Sequence, residues 1–158
     1  MSTVLHVSYC PTPIGLLEIE GDDRHVRAVT FVDAPGGVGE VGANAVTEEA
    51  AAQLAAYFDG ARRAFELPLA PQGTPFQRAV WAQLRQVPFG ETATYRDIAL
   101  ALDNANGVRA VGAANGRNPI AVIVPCHRII GSNGQLTGYG GGLWRKEWLL
   151  RHEGALLL

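Results

Sequence analysis

Apolar and polar residues alternate through the first third of the chain, and then the period changes. Val4 to Tyr9, Leu16 to Glu20 and Val26 to Val32 are short runs rich in β-branched and aromatic residues. Pro11-Thr12-Pro13 and Gly21-Asp22-Asp23 divide them with turn-forming residues, which predicts a small antiparallel sheet. Ala34 to Gly42 reads as a loop. Thr47, Glu48 and Glu49 then open a helix whose apolar face is Leu54, Tyr57 and Phe58 and which Gly60 closes, since acidic residues suit a helix start and glycine its end. Residues 61–71 form a linker, after which the helical signals sharpen. Thr74-Pro75-Phe76-Gln77 is a capping box with proline in the first turn. It predicts a helix over 75–86 with Phe76, Val80, Trp81, Leu84 and Val87 inward. Thr94-Tyr95-Arg96-Asp97 repeats the capping pattern and predicts a short helix to Leu102, with Ile98 and Leu102 inward. Asp103 to Gly107 is a turn, and a third helix runs from Val108 to about Asn115. Two short helices around a glycine-containing turn make a helix-turn-helix candidate. Ile120 to Val124 reads as a buried strand that Pro125 stops.

Composition and charge narrow the class. A chain of 158 residues, 47% hydrophobic and 18% charged, buries a real core in one domain or two small ones. The patterning favours two, 1–71 and 72–158. Cys10 and Cys126 are the only cysteines, too few for a disulfide framework and without the paired spacing of a zinc site. His6, His25 and Cys10 supply no paired ligand motif either, so neither metal nor cofactor is expected. Gly36-Gly37-Val38-Gly39 lacks the strand-loop-helix frame of a phosphate-binding loop. The N-terminus has no leader pattern and no apolar run is long enough to span a membrane; a cytoplasmic location is expected. Residues 1–71 carry four arginines against ten carboxylates, whereas residues 72–158 carry nine cations against five carboxylates. Such asymmetry hints at a polyanionic partner for the second half, although it also fits a solvated basic face.

Two features carry candidate chemistry. Cys126 follows Pro125 at a strand-to-helix turn with His127 beside it, a setting that favours the nucleophilic thiolate. The alternative is that Cys126 is a small core hydrophobe. The third helix begins with Arg109 and continues through Ala110, Gly112, Ala113 and Ala114. These small side chains let a backbone approach nucleic acid closely, or equally let helices pack tightly.

The residues Arg109-Ala110-Val111-Gly112-Ala113-Ala114-Asn115-Gly116-Arg117-Asn118-Pro119-Ile120, Val124-Pro125-Cys126-His127-Arg128-Ile129-Ile130-Gly131, Gly138-Tyr139-Gly140-Gly141-Gly142, Arg145-Lys146-Glu147-Trp148-Leu149-Leu150 and Glu153-Gly154 closely resemble the methylated-DNA protein-cysteine methyltransferases. These are the O6-alkylguanine-DNA alkyltransferases, and the bacterial constitutive branch is the nearest match. The resemblance runs nearly unbroken over residues 73–154. It implies a small N-terminal α/β domain, RNase H-like, followed by a mostly helical, winged-helix-like domain with the helix-turn-helix. It implies irreversible, single-turnover transfer of an alkyl group from O6 of guanine to Cys126, with O4 of thymine left open. In this scheme His127 takes the thiol proton through a water and Glu153 holds the imidazole and favours its charged form. Asn118 ties the recognition helix to the active-site strand, and Tyr95 contacts the target base and donates a proton as guanine leaves. Val124, Tyr139, Gly140 and Lys146 fall at substrate-pocket positions. Arg109, Ala110, Gly112, Ala113, Asn115, Thr94 and Arg96 fall at DNA-binding positions, with Arg109 filling the space left by a flipped nucleotide. The implied partner is double-stranded DNA containing O6-alkylguanine, met by a monomer.

Gly140 stands where human-type members have serine, Ala121 where they have proline, and the human type's N-terminal zinc ligands have no counterpart. Three rival readings remain in view. A non-catalytic alkyl-DNA-binding helix-turn-helix protein would lack the cysteine, a regulator would need a base-reading helix, and a cysteine hydrolase would need an oxyanion hole.

Overall fold

The computed structural model describes residues 4–36 and 42–156, so Gly37, Val38 and Gly39 of the glycine-rich loop lie outside the described residues. The chain divides into two compact units, Met1–Gln72 with Pro119–Ile123 and Gly73–Asn118 with Val124–Leu158.

The first unit is an antiparallel sheet of β1 (His6–Thr12), β2 (Gly15–Gly21) and β3 (Val26–Val32), in that order, with α1 (Ala45–Phe58) against it. Pro11 and Thr12 pair with Leu16 and Gly15 rather than forming the turn. β1 is an edge strand, where a proline without an N–H breaks no ladder, so the turn tightens to Pro13-Ile14. Leu17, Ile19, Val26 and Val29 form the sheet's buried side, and Ala50, Leu54 and Tyr57 are buried on α1. The cap of α1 is Asn44, not Thr47. Asn44 accepts from the Thr47 N–H at 2.9 Å, and Thr47, in the third helical position, accepts the Asn44 N–H at 3.0 Å. Thr47 is wholly buried because its hydroxyl also takes a hydrogen bond from Ser8 at 2.8 Å.

The run Ile120 to Val124 is not a strand. Ile120 makes one parallel bridge to Val29, framed by the Val29 N–H on the Pro119 carbonyl (2.9 Å) and the Ala121 N–H on the Val29 carbonyl (3.0 Å). The chain then turns, with the Ile123 N–H on the Ala121 carbonyl at 2.8 Å across Val122, whose φ is 69°. A positive φ is costly for a β-branched residue. Here the buried apolar side chains of 120, 122, 123 and 124 are satisfied by a turn in the core as well as by a strand.

The second unit is mostly helical: α2 (Pro75–Leu84), β4 (Ala93–Thr94), α3 (Tyr95–Ala101), α4 (Val108–Gly116), a single 3₁₀ turn (Cys126–Arg128), β5 (Ile129–Ile130) and α5 (Leu143–His152). β4 and β5 pair in parallel. Both expected capping boxes are present, Thr74 with Gln77 and Thr94 with Asp97. Helix α2 stops at Leu84, two residues short of expectation, and α3 stops at Ala101 with Leu102 as its half-buried cap, so that Ala99 joins Ile98 inward. α2 and α3 pack on α4, where Val111 and Ala114 are buried and the Trp81 indole donates to the Ala114 carbonyl at 2.8 Å. The fold is mixed α/β, with α3 and α4 forming the helix-turn-helix. Among the described residues, no helix is long and apolar enough to cross a membrane.

Thr47→Val keeps the shape but strands the Ser8 hydroxyl and the Asn44 N–H. Urea unfolding should show a loss of about 1–3 kcal/mol at unchanged denaturant slope; an unchanged midpoint would show the Ser8–Thr47 contact to be idle.

Candidate active site

Pro125, at φ −83° and ψ 63°, bends the chain so that the Cys126 N–H reaches the Val124 carbonyl at 2.8 Å and Cys126 opens the 3₁₀ turn. The same Val124 carbonyl accepts from Asn118 Nδ2 at 2.8 Å. Cys126 is 7% exposed. Burial raises its thiol pKa; a hydrogen bond from the Asn118 side chain and the charge of Lys146 act the other way without cancelling it. The expectation of a preformed thiolate is therefore corrected: the resting group is a thiol, because desolvation penalises the charged form.

His127 follows on the turn, wholly buried. Its Nε2 lies 2.8 Å from Glu153 Oε2, at the end of α5. The carboxylate requires a donor there, which assigns the proton to Nε2 and leaves Nδ1 as a lone-pair acceptor. Among the described residues, Nδ1 has no hydrogen-bond partner. Burial, with the charges of Arg128 and Lys146, lowers the His127 pKa against the hydrogen bond and charge of Glu153, which raise it. The imidazole is accordingly neutral at rest and not, as expected, biased to its charged form. Such a group can accept a proton.

Glu153 is shared. Arg128 Nε donates to its Oε1 at 2.8 Å and Nη2 to its Oε2 at 2.9 Å, while Nη1 donates to the Val87 carbonyl at 2.7 Å. Burial alone would raise the Glu153 pKa, but the hydrogen bonds and charges of His127 and Arg128 hold it far below the usual carboxylate range. The fork fixes the carboxylate plane, and with it the imidazole. Sequence reasoning missed Arg128, although a buried-type glutamate beside a histidine requires a cation; the arginine adjacent to His127 was the available signal.

A cavity of about 480 Å³ opens in the same unit, lined by Tyr95, Gly112, Asn115, Thr137, Tyr139, Gly140 and neighbouring glycines. Asn115, expected at DNA, is 4% exposed and reaches the Cys126 carbonyl through Nδ2 at 3.4 Å. It joins the cavity to the cysteine. Tyr139 is raised well above the ordinary phenol pKa, first by burial and then by the nearby Cys126, so it stays protonated. A side chain at Gly140 would meet nothing within 4 Å. Lys146, expected at the substrate, is wholly buried and spends its ammonium on the carbonyls of Ile129 and Thr137 (2.8 Å to the latter). Burial lowers its pKa to about 8. Val124 is buried, and its carbonyl serves Asn118 and Cys126.

The expected DNA-binding positions are mostly on the surface. Arg109, Ala110 and Ala113 are exposed on α4, Gly112 is half-buried in the cavity wall, and Arg96 is exposed on α3. Thr94 is half-buried, its hydroxyl occupied as the cap of α3. Among the described residues, no group of three or more His, Cys, Asp or Glu could hold a metal ion.

Residues 75–155 match the family model described as the 6-O-methylguanine DNA methyltransferase DNA binding domain, and residues 5–71 match the ribonuclease-like domain of the same family. The chain is 48% identical over 149 residues to a methylated-DNA–protein-cysteine methyltransferase of Methanosarcina acetivorans, covering 91% of this chain and 95% of the relative. It is 45% identical over 153 residues to one from Mycobacterium leprae, covering 95% and 93%. Among solved structures, Mycobacterium tuberculosis OGT in complex with DNA superposes with a TM-score of 0.87 at 41% identity, covering 95% of this chain and 93% of that one.

The depressed Glu153 pKa has a pH consequence. A folded-state value below the unfolded one, roughly 4.3, gives stability that is present above that pH and lost as pH falls through the folded value. Glu153→Gln should cost about 3–5 kcal/mol at pH 7 by leaving Arg128 unpaired, and should show a weaker loss than the wild type between pH 5 and 3. Parallel urea titrations of the two proteins check this; identical acid slopes would remove Glu153 as the source.

Proposed function

The chain belongs to the 6-O-methylguanine DNA methyltransferase family, and we propose that within this activity Cys126 accepts the alkyl group. The protein is a DNA-repair enzyme that transfers an alkyl group from methylated DNA to a protein cysteine. The observation that carries the assignment is the buried Cys126 followed by a buried His127 whose Nε2 is fixed by Glu153 and whose Nδ1 has no hydrogen-bond partner among the described residues. His127 draws the thiol proton through a water as sulfur attacks the alkyl carbon, and the positive imidazole so formed is stabilised by Glu153. The carbon–O6 bond breaks with its electron pair on guanine, which takes up a proton from water while His127 returns the thiol proton to water, so protons balance. A thioether results, and no group in the site can expel it, so each molecule acts once.

The substrate we propose is O6-alkylguanine in double-stranded DNA, engaged by a monomer in the cytoplasm. Asn118 restrains the turn before Cys126 and lowers the cost of the thiolate. Tyr95, Tyr139, Gly140 and Asn115 surround the base, with Val124 and Lys146 supporting the walls. Thr94, Arg96, Ala110, Gly112 and Ala113 present α3 and α4 to the duplex. A 7% exposed cysteine does not reach a stacked base, so the nucleotide flips out at a cost of a few kcal/mol, and Arg109 fills the gap. The small residues of α4 leave base edges largely unread, which suits repair in any sequence. The non-catalytic helix-turn-helix reading is disfavoured, because the chain keeps the cysteine and matches relatives named as methyltransferases over most of its length.

Mass spectrometry of the intact protein after exposure to O6-methylguanine duplex should show one added methyl on Cys126. Cys126→Ser should show none while still binding DNA, since a serine hydroxyl is far less acidic. Methyl transfer by the serine variant would overturn the nucleophile assignment.

Arg109→Ala should slow repair of duplex DNA by roughly tenfold or more, about the cost of losing part of the flipping energy. Its reaction with the free alkylated base should change little. Equal losses on both substrates would place Arg109 in pocket structure instead of in the duplex.

A further inference from the structure

Thr137, in the cavity wall, is held by both its backbone and its side chain. Its carbonyl accepts from Lys146 Nζ at 2.8 Å, and Lys146 is wholly buried and also bound to the Ile129 carbonyl on β5. Its methyl lies 3.7 Å from where a side chain at Gly131 would begin. Its hydroxyl is 2.7 Å from the Tyr95 hydroxyl, and either oxygen can be the donor. Both residues line the cavity.

The direction of that bond decides what Tyr95 can do. A phenol has a single proton. If Tyr95 donates to Thr137, it has no proton left for a ligand. If Thr137 donates, the Tyr95 oxygen accepts, its own O–H is free for an acceptor in the cavity, and the chained bonds polarise one another. Guanine supplies ring-nitrogen acceptors, which become richer in electrons as O6 loses its alkyl carbon.

We propose that Thr137 is a positioning residue for alkyl transfer: anchored by Lys146, it donates its hydroxyl proton to Tyr95 and thereby turns the Tyr95 O–H onto the bound guanine. The inference rests on the reading that Tyr95 contacts the base. In the step itself the sulfur–carbon bond forms and the carbon–O6 bond breaks, with the electron pair passing to guanine. Tyr95 stabilises that charge by hydrogen bonding and keeps its proton, in place of the proton donation that the family resemblance implies, and Thr137 keeps its own. Threonine suits the task because its branched Cβ restricts the hydroxyl to few rotamers.

The test is single-turnover transfer from O6-methylguanine duplex under saturating protein, with DNA affinity measured separately. Thr137→Val, which replaces the hydroxyl by a methyl of the same shape, should react about tenfold more slowly, the weight of one hydrogen bond, with DNA affinity unchanged. Thr137→Ser should restore the rate to within about twofold of wild type. Tyr95→Phe should also be slow, and adding Thr137→Val to it should cost nothing further. If Thr137→Val reacts at the wild-type rate while Tyr95→Phe is slow, the inference is wrong and the Tyr95 reading stands. A full additional loss in the double variant would likewise overturn it, assigning Thr137 to wall structure alone. A wild-type rate for Tyr95→Phe would overturn the Tyr95 reading and the inference with it.

Discussion

The Glu153 carboxylate is the constraint on which the site depends. It lies buried where α5 ends, and its two oxygens take three hydrogen bonds, one from His127 and two from Arg128. An ionised carboxylate without partners in such a place would cost several kcal/mol. Because both partners come from the same 3₁₀ turn as Cys126, satisfying the charge also fixes the turn. Arg128 extends the hold to the Val87 carbonyl, beyond the end of α2. Cys126 is thus placed by an ion cluster built on the two residues that follow it.

Burial sets the resting chemistry in the same way. A thiolate and an imidazolium would both be penalised away from water, and the thiol is raised and the imidazole lowered accordingly. The neutral pair is the ground state. In the proposed reaction a charged pair is approached only as sulfur passes its charge to a carbon, with the Glu153 carboxylate already 2.8 Å from the imidazole. A preformed thiolate would be reactive towards any electrophile or oxidant; a buried thiol is shielded from both.

Local signals in the sequence were strong where a short-range rule governs and weak where the core decides. Thr74 with Gln77 and Thr94 with Asp97 specify their helices by side-chain hydrogen bonds spanning three residues, and both are present. Thr47 and the following glutamates resemble a helix start as closely as Asn44 does; only the buried bond from Ser8 explains why threonine occupies the third helical position. The run Ile120 to Val124 has no period that could separate strand from turn, and Val122 adopts a backbone angle that no propensity predicts. The order Pro125-Cys126-His127-Arg128 made the reaction legible. The roles of Arg128, Asn115 and Thr137 were not, since each depends on a partner 11 to 42 residues away in sequence.

The cavity wall shows why so many of its residues are glycine. Gly112, Gly116, Gly138 and Gly140 leave backbone in place of side chains, so a planar base can lie against them without displacing a rotamer. At Gly112 even a Cβ would sit 3.8 Å from the Tyr95 ring. That contact is ordinary for one methyl, but any longer side chain would enter the space beside the phenol. Of the larger groups, Tyr95, Thr137 and Asn115 are tied by hydrogen bonds, and Tyr139 is half-buried beside them. A wall of bare backbone interrupted by a few immobilised polar groups accepts a flat heteroaromatic ring at low entropic cost. It also carries its selectivity in hydrogen-bond direction more than in shape, and the hydroxyl pair of Tyr95 and Thr137 is where that direction is set.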